Sequence, residues 1–92
     1  MQLMGFVFTK AALKYLGTIQ QHKLRRQVTR KARALQHDPH PPGSKKLCGE
    51  TAATGEPIYR ERSGDYRILY VVREKPTEVI VLDIDDRKDV YK

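Results

Sequence analysis

Residues 57–84, PIYRERSGDYRILYVVREKPTEVIVLDI, decide the fold, because their hydrophobic pattern has a period of two. Residues 58–62, 66–73 and 78–84 are predicted strands, and turns at residues 63–65 and 74–77 separate them. Gly64 in the first turn can adopt the positive φ that a tight hairpin requires. The third strand is apolar on both faces in its middle, which favours a central position or a helix covering one side.

Upstream of this segment the pattern predicts one strand and two helices. Residues 4–9 are predicted as a strand, and Thr9 is a candidate N-cap for a helix that begins near Lys10. That helix has an apolar stripe formed by Leu13, Leu16 and Ile19, with Ala12 and Tyr15 close to the same side. Residues 22–36 form a second helical pattern, with its apolar face made by Leu24, Val28, Ala32 and Leu35.

A proline-rich loop at residues 38–44 ends the second helix, and residues 45–55 are predicted to connect it to the later strands without an element of their own. The order is therefore β-α-α-β-β-β. Helices grouped before a run of hairpin-linked strands predict an α+β two-layer sandwich, in which two N-terminal helices pack on a mainly antiparallel sheet.

The length of 92 residues fits one small domain spanning residues 1–92. No apolar run approaches the roughly 20 residues needed to cross a bilayer, and the first ten residues do not have the pattern of a signal peptide. The single cysteine, Cys48, excludes an internal disulfide framework and a cysteine-rich zinc site. These features are typical of a protein of the reducing cytoplasm with no membrane association.

The charge is distributed unevenly along the chain. Residues 1–49 carry ten basic residues and one acidic residue, a net charge of +9, whereas residues 50–92 carry eight basic and ten acidic residues, a net charge of −2. Residues 22–36 contain six of those basic residues and no acid, although surface helices usually mix the two signs. Such a field attracts polyanions, so nucleic acid, an acidic protein or an anionic surface is the expected partner.

Several kinds of catalytic site are excluded by the residue pattern. The chain has no glycine-rich phosphate loop followed by Lys and Ser or Thr. The spacing of His22, His37 and His40 fits no zinc template, and the acidic residues at 83–89 do not have the spacing of a calcium-binding loop. We therefore expect neither a metal site nor a cofactor.

Arginine and tyrosine remain as candidates. Alternation along residues 66–73 places Arg67 and Arg73 on one face, and the hairpin brings Arg60 or Arg62 near Arg67. Clustered guanidinium groups bind phosphate bidentately, and a neighbouring tyrosine can stack on a base or transfer a proton. The residues alone leave a second interpretation equally open, in which the tyrosines fill the core and the arginines extend into solvent.

Three short motifs in order resemble the RelE/ParE superfamily of toxins from toxin–antitoxin pairs. Residues 59–70 (YRERSGDYRILY) resemble its central hairpin, "R-x-G-x-Y-R" followed by two hydrophobic residues and Tyr. DP at residues 38–39 with PGSKKLCG at residues 42–49 resembles its "D-P … L-x-G" stretch. DDRKDVY at residues 85–91 resembles its closing "H-R-x-x-V-Y". The element order agrees with that family as well.

The resemblance implies a ribosome-dependent endoribonuclease of the RelE type, which cuts messenger RNA in the ribosomal A site and inhibits translation. By the motif match, Arg67 would hold the scissile phosphate and Arg87 would add positive charge at the pentacoordinate centre. Tyr91 would stack on the base or act as a general base toward the 2′-hydroxyl, and Arg60 would stand where such toxins often have lysine. Asp86 stands where many relatives have histidine, and a carboxylate there is expected to repel phosphate.

The expected partners follow from the same resemblance and from the charge. An acidic RelB-like antitoxin would cover the basic surface in a hetero-oligomer, and the ribosome and messenger RNA would be the targets. Further RNA contacts are expected from basic residues outside the catalytic set, namely Lys23, Arg26, Arg30, Lys31, Arg33, Lys45, Lys46 and Arg62. Two alternatives remain: a ParE-like inhibitor of DNA gyrase without nuclease activity, and an inactive nucleic-acid-binding protein of the same fold.

Overall fold

In a computed structural model of the protein, which describes residues 5–74 and 77–86, two helices cover one face of a five-stranded sheet. In chain order the elements are β1 (Gly5–Phe8), α1 (Lys10–Thr18), α2 (His22–Ala34), β2 (Lys45–Thr51), β3 (Pro57–Ser63), β4 (Tyr66–Arg73) and β5 (Glu78–Asp86). The spatial strand order is β1-β5-β4-β3-β2. β1 is parallel to β5, and the other neighbouring strands are antiparallel. The predicted α+β architecture is confirmed.

Strand β2 was not predicted from the sequence. It forms one edge of the sheet and pairs with β3 through Lys45 opposite Arg60 and Lys46 opposite Tyr59. Its register is irregular between Lys46 and Thr51, and Gly49 within it has a φ of 78°. An edge strand with lysines and a kink does not show the hydrophobic alternation on which strand prediction depends, and these features protect an exposed edge from pairing with another chain.

Helix α1 begins where the sequence predicts. The Thr9 hydroxyl accepts a hydrogen bond from the backbone N–H of Ala12 at 3.2 Å, as an N-cap does. Ala12, Leu16 and Ile19 are buried in the core, but Leu13 is 54% exposed. The predicted stripe was therefore wrong at Leu13, because α1 turns the side with Ala12 toward the sheet instead.

Helix α2 presents the predicted apolar face to the sheet. Val28, Ala32 and Leu35 are buried, and Leu24 packs at the margin of the same core. The strands contribute the other half of this core through Ile68, Tyr70, Val79, Val81 and Ile84, all fully buried. Both helices therefore lie on one side, and no helix formed by residues 5–74 or 77–86 covers the opposite face, which we call the helix-free face. Among the residues described, no helix is long and apolar enough to cross a membrane.

A β-bulge in β5 determines which of its side chains face the helices. Leu69 pairs with Asp83 but the next residue, Tyr70, pairs with Val81, so Leu82 is an extra residue in β5. Val79 and Val81 face the helices before the bulge, and Ile84 does so after it. Asp83 and Asp85 consequently lie on the helix-free face. The bulge carbonyl of Leu82 accepts a hydrogen bond of 2.6 Å from the Thr9 hydroxyl, which links the start of α1 to β5.

Candidate nucleic-acid interface

The helix-free face of the sheet brings together four of the predicted functional side chains. Arg62 of β3 lies directly opposite Arg67 of β4, and Arg60 lies opposite Leu69, one position further along the same face. Lys45 of β2 is the cross-strand neighbour of Arg60. The prediction that the hairpin places an arginine of residues 58–62 beside Arg67 is confirmed. We refer to Lys45, Arg60, Arg62 and Arg67 as the arginine face.

Arg67 forms a two-point ion pair with Asp85 of β5. Its Nε and Nη2 atoms donate to Asp85 Oδ1 and Oδ2, each at 2.9 Å. Cross-strand pairing accounts for the geometry, because Arg67 and Asp85 are directly opposite in the register. Asp86 lies opposite Tyr66 and lines a groove on the helix side with Tyr15 and Leu24. Asp85 is therefore a carboxylate paired with Arg67 that the sequence did not single out.

Arg60 is held with one donor unsatisfied. Its Nε atom is buried and has no hydrogen-bond partner among residues 5–74 and 77–86. An unsatisfied buried donor costs about 1–3 kcal/mol, so the protein tolerates an unfavourable arrangement at this point of the arginine face. Since Arg62 and Arg67 are like charges directly opposite each other, which is also destabilising, two of the costs in the sheet coincide here.

The tyrosines of the strands lie on the other side of the sheet. Tyr70 is fully buried, and Tyr59 and Tyr66 pack against the same core. The Tyr70 hydroxyl donates to the Pro39 carbonyl at 2.5 Å, and burial raises the pKa of Tyr70 to about 12. These three side chains follow the structural interpretation that the sequence left open: they fill the core, and the arginine face receives no tyrosine from β3 or β4.

The remaining basic residues form a second surface. Lys23, Arg26, Arg30, Lys31 and Arg33 are exposed on α2, and Lys23, Arg26 and Arg30 lie on the side of the helix opposite its buried Val28. Lys31 donates to the Arg62 carbonyl at 2.9 Å, and the Arg33 guanidinium lies 6.0 Å from the centre of the Phe6 ring. Lys46 pairs opposite Tyr59 and so belongs to the helix side of β2. The predicted RNA-binding residues therefore divide between two surfaces.

The predicted residues Arg87 and Tyr91 lie outside the described residues. Within residues 5–74 and 77–86 no three His, Cys, Asp or Glu side chains are grouped so that they could hold a metal ion. The part of the site that the structure does place is thus a surface of four cationic side chains, bordered by Asp83 and Asp85.

Sequence reasoning missed Asp85 as a member of this site. Counting by two from the buried Val79 and Val81 places Asp83 and Asp85 toward the helices. The bulge at Leu82 reverses this assignment. A faint signal was present, since two aspartates separated by one residue at the end of an apolar strand are poor candidates for a buried face.

Comparison with protein families gives one match to nearly the whole chain. A sequence model of the family described as the ParE toxin of type II toxin–antitoxin systems, parDE, matches residues 6–91. Toxin RelG of Mycobacterium tuberculosis is 36% identical over 53 residues, which are 50% of this chain. The match spans 61% of the length of that relative.

Solved structures of the same fold include two toxin–antitoxin complexes. The archaeal RelE–RelB complex from Pyrococcus horikoshii OT3 contains a chain with a TM-score of 0.76 and 25% identity, and the match covers 94% of this chain and 97% of that one. The toxin–antitoxin complex RelBE2 from Mycobacterium tuberculosis contains a chain with a TM-score of 0.72 and 24% identity, with 94% and 100% covered. The second likeness is one of fold alone.

Proposed function

Because this chain belongs to the ParE toxin family of type II toxin–antitoxin systems, within the RelE/ParE superfamily, we propose that it is a toxin that cleaves messenger RNA on the ribosome. The observation that carries the proposal is the cross-strand pair of Arg62 and Arg67 on a sheet face without helices. Two arginines directly opposite each other on one face can bring both guanidinium groups to one backbone phosphate and stabilise the charge that develops on it.

The chemistry requires little beyond positioning and charge. RNA supplies its own nucleophile, since the 2′-hydroxyl attacks the adjacent phosphorus while the bond to the 5′-oxygen breaks. Arg67 would hold the phosphate in line, with Arg60, Arg62 and Lys45 around it. Tyr91 and Arg87, which the family resemblance assigns to base stacking or proton transfer and to charge stabilisation, complete the proposed set. A tyrosine general base needs nearby cations to lower its pKa from about 10.

The basic surface of α2 would serve a separate purpose. Lys31 of this helix reaches the Arg62 carbonyl, but Lys23, Arg26 and Arg30 lie opposite the buried side of α2 and so point away from the sheet. They are suited to ribosomal RNA, where contacts with phosphates give affinity that depends on salt. The antitoxin would be an acidic protein that covers one or both cationic surfaces, as RelB accompanies RelE in the structure from Pyrococcus horikoshii.

A second function is favoured by one observation, namely that the family model matched is that of the ParE toxins. The alternative is inhibition of DNA gyrase without nuclease activity. On that interpretation the arginine face binds a protein or DNA surface, and no individual guanidinium has a chemical role.

The test is the position of new RNA ends after a short pulse of expression. We expect primer extension to show cuts within translated codons, and purified ribosomes with added protein to reproduce them. Arg67→Ala should reduce cleavage by at least tenfold, since removing one preorganised charge contact commonly costs about 10²-fold or more. Tyr91→Phe should reduce it as well.

Arg73→Ala is the matched control. Arg73 lies on the same strand and face, roughly 20 Å from Arg67, and contacts Glu56 at 3.6 Å and Glu78 at 3.5 Å. Cleavage by this variant should resemble that of the wild type. Growth arrest without cuts, together with rescue by additional gyrase, would replace the nuclease assignment with the gyrase one.

A further inference from the structure

The guanidinium proposed to hold the RNA phosphate already holds an anion. Asp85 accepts from both Nε and Nη2 of Arg67, the two-point geometry with which arginine also binds phosphate. The side chains remain accessible, with 23% of Arg67 and 26% of Asp85 exposed to solvent. The pair is thus neither a buried structural bridge nor a fully solvated contact.

The row of residues across the sheet explains why a carboxylate stands there. Arg62, Arg67 and Asp85 are successive cross-strand neighbours on β3, β4 and β5. Without Asp85, Arg62 and Arg67 would meet as two like charges directly opposite each other, which destabilises a sheet. Asp85 supplies the negative charge that this arrangement lacks when no nucleic acid is bound.

We propose that Asp85 is an internal competitor for RNA: it occupies Arg67 in the free protein and opposes the binding of a backbone phosphate at the same guanidinium. The inference rests on the proposed function for its ligand, an RNA phosphate. Two anions at one guanidinium repel each other, so a phosphate must displace the Asp85 carboxylate or bind beside it at a cost. The intact protein therefore binds RNA more weakly than its arginine face alone would allow.

The experiment compares Asp85→Asn with Asp83→Asn. Both changes remove one negative charge from β5 on the same face, but the Asp83 carboxylate accepts a hydrogen bond from the Ile84 backbone N–H, whereas Asp85 is paired with Arg67. The probe is a single-stranded RNA fully methylated at the 2′-oxygens, which cannot be cleaved through the 2′-hydroxyl. Asp85→Asn should bind it about three- to tenfold more tightly than Asp83→Asn at low salt.

The gain in RNA affinity of Asp85→Asn over Asp83→Asn should depend on Arg67. When Arg67→Ala is combined with each change, the two double variants should bind the probe equally, because the guanidinium that Asp85 occupies has been removed. Asp85→Asn should also lower the melting temperature, and the probe should raise it again. Asp85→Ser provides a second variant with the same expectations.

The inference is wrong if Asp85→Asn binds no more tightly than Asp83→Asn, or if its advantage persists without Arg67. A loss of affinity in Asp85→Asn would also overturn it and would show that Asp85 orients Arg67 for RNA. Cleavage of messenger RNA on the ribosome is measured separately. If cleavage is absent while the Arg67-dependent gain is present, the proposed nuclease function fails and the competition at Arg67 stands.

Discussion

Tyr70 is fully buried and attaches the proline-rich loop to the sheet. Its hydroxyl donates to the Pro39 carbonyl, and its ring stacks on Tyr59 with 5.8 Å between centres. The His40 ring meets the edge of Tyr59 at 4.7 Å, so two loop residues are fixed through this pair of tyrosines. The loop leads directly into β2, and the position of Lys45 on the arginine face therefore depends in part on Tyr70.

This environment predicts a pH dependence of stability. Burial raises the pKa of Tyr70 to about 12, above the value of about 10 in an unfolded chain. The raised value means that the contribution of Tyr70 is fully present below pH 10 and is lost as the pH rises through 12. We expect the free energy of unfolding of the wild type to fall by about 2 kcal/mol more than that of Tyr70→Phe across this interval.

Urea denaturation at several pH values measures the difference in the free energy of unfolding between the wild type and Tyr70→Phe. At neutral pH the same variant should be less stable by about 1 kcal/mol, because the Pro39 carbonyl loses its donor. Parallel losses of stability in the two proteins between pH 10 and 12 would show that Tyr70 does not titrate in this way.

The arginine face combines unfavourable charge contacts with one favourable ion pair, that of Arg67 with Asp85. The charges that we propose bind phosphate also make the arginine face unfavourable in isolation, since Arg60 has an unsatisfied Nε and Arg62 lies opposite Arg67. Asp85 offsets part of this cost in the free protein. Functional surfaces commonly carry such local costs, which the rest of the fold compensates.

Among the elements, α1 and β5 share the core, and the Thr9 side chain adds a link between the start of α1 and the bulge of β5. Thr9 caps α1 through its hydroxyl oxygen and donates the hydroxyl proton to the carbonyl of Leu82 at the bulge. The bulge in turn sets the side on which Asp83 and Asp85 lie. The start of the first helix is thus connected to the acidic border of the arginine face.

Replacing Thr9 with Val removes both hydrogen bonds and keeps the shape of the side chain. We expect Thr9→Val to lower the free energy of unfolding by about 1–2 kcal/mol, the usual cost of losing an N-cap with a second bond. The matched control is Thr18→Val, since the Thr18 hydroxyl makes one exposed bond to the Tyr15 carbonyl. A loss in the control equal to that in Thr9→Val would contradict the linking role of Thr9.

The sequence predicted those elements whose packing follows a regular period. Strands β3, β4 and β5, the hairpin turn at Gly64 and the buried face of α2 all follow from spacing, and Gly64 has the expected positive φ of 61°. Strand β2 and the bulge at Leu82 could not be predicted, because each interrupts the period. The partner of Arg67 depends on that bulge, so the composition of the site was less predictable than the fold around it.

At the scale of the whole molecule, the net charge is +7, and cationic side chains are concentrated on two surfaces of the described residues. The arginine face holds its cations on the sheet, next to Asp83 and Asp85. The outer face of α2 holds Lys and Arg without an acidic residue in the helix. If the first surface binds the cleaved strand and the second binds ribosomal RNA, changes in the two should affect different measurements.

The triple variant Lys23→Gln, Arg26→Gln and Arg30→Gln tests this division, because all three residues are exposed on α2. We expect ribosome binding to weaken and its dependence on salt to become shallower. The slope of log K against log salt should fall in magnitude by about 2, since each lost phosphate contact removes roughly 0.7–0.9. Cleavage at saturating protein should change little, because Arg67 and its neighbours are untouched.

Arg62→Gln should show the opposite pattern, with slower cleavage and a slope changed by less than about 1. Sedimentation with ribosomes at increasing potassium chloride concentration gives the slope of log K against log salt, and primer extension gives the cleavage rate. An unchanged slope in the triple variant would mean that α2 contributes no phosphate contacts, and its charge would then be available for the antitoxin instead.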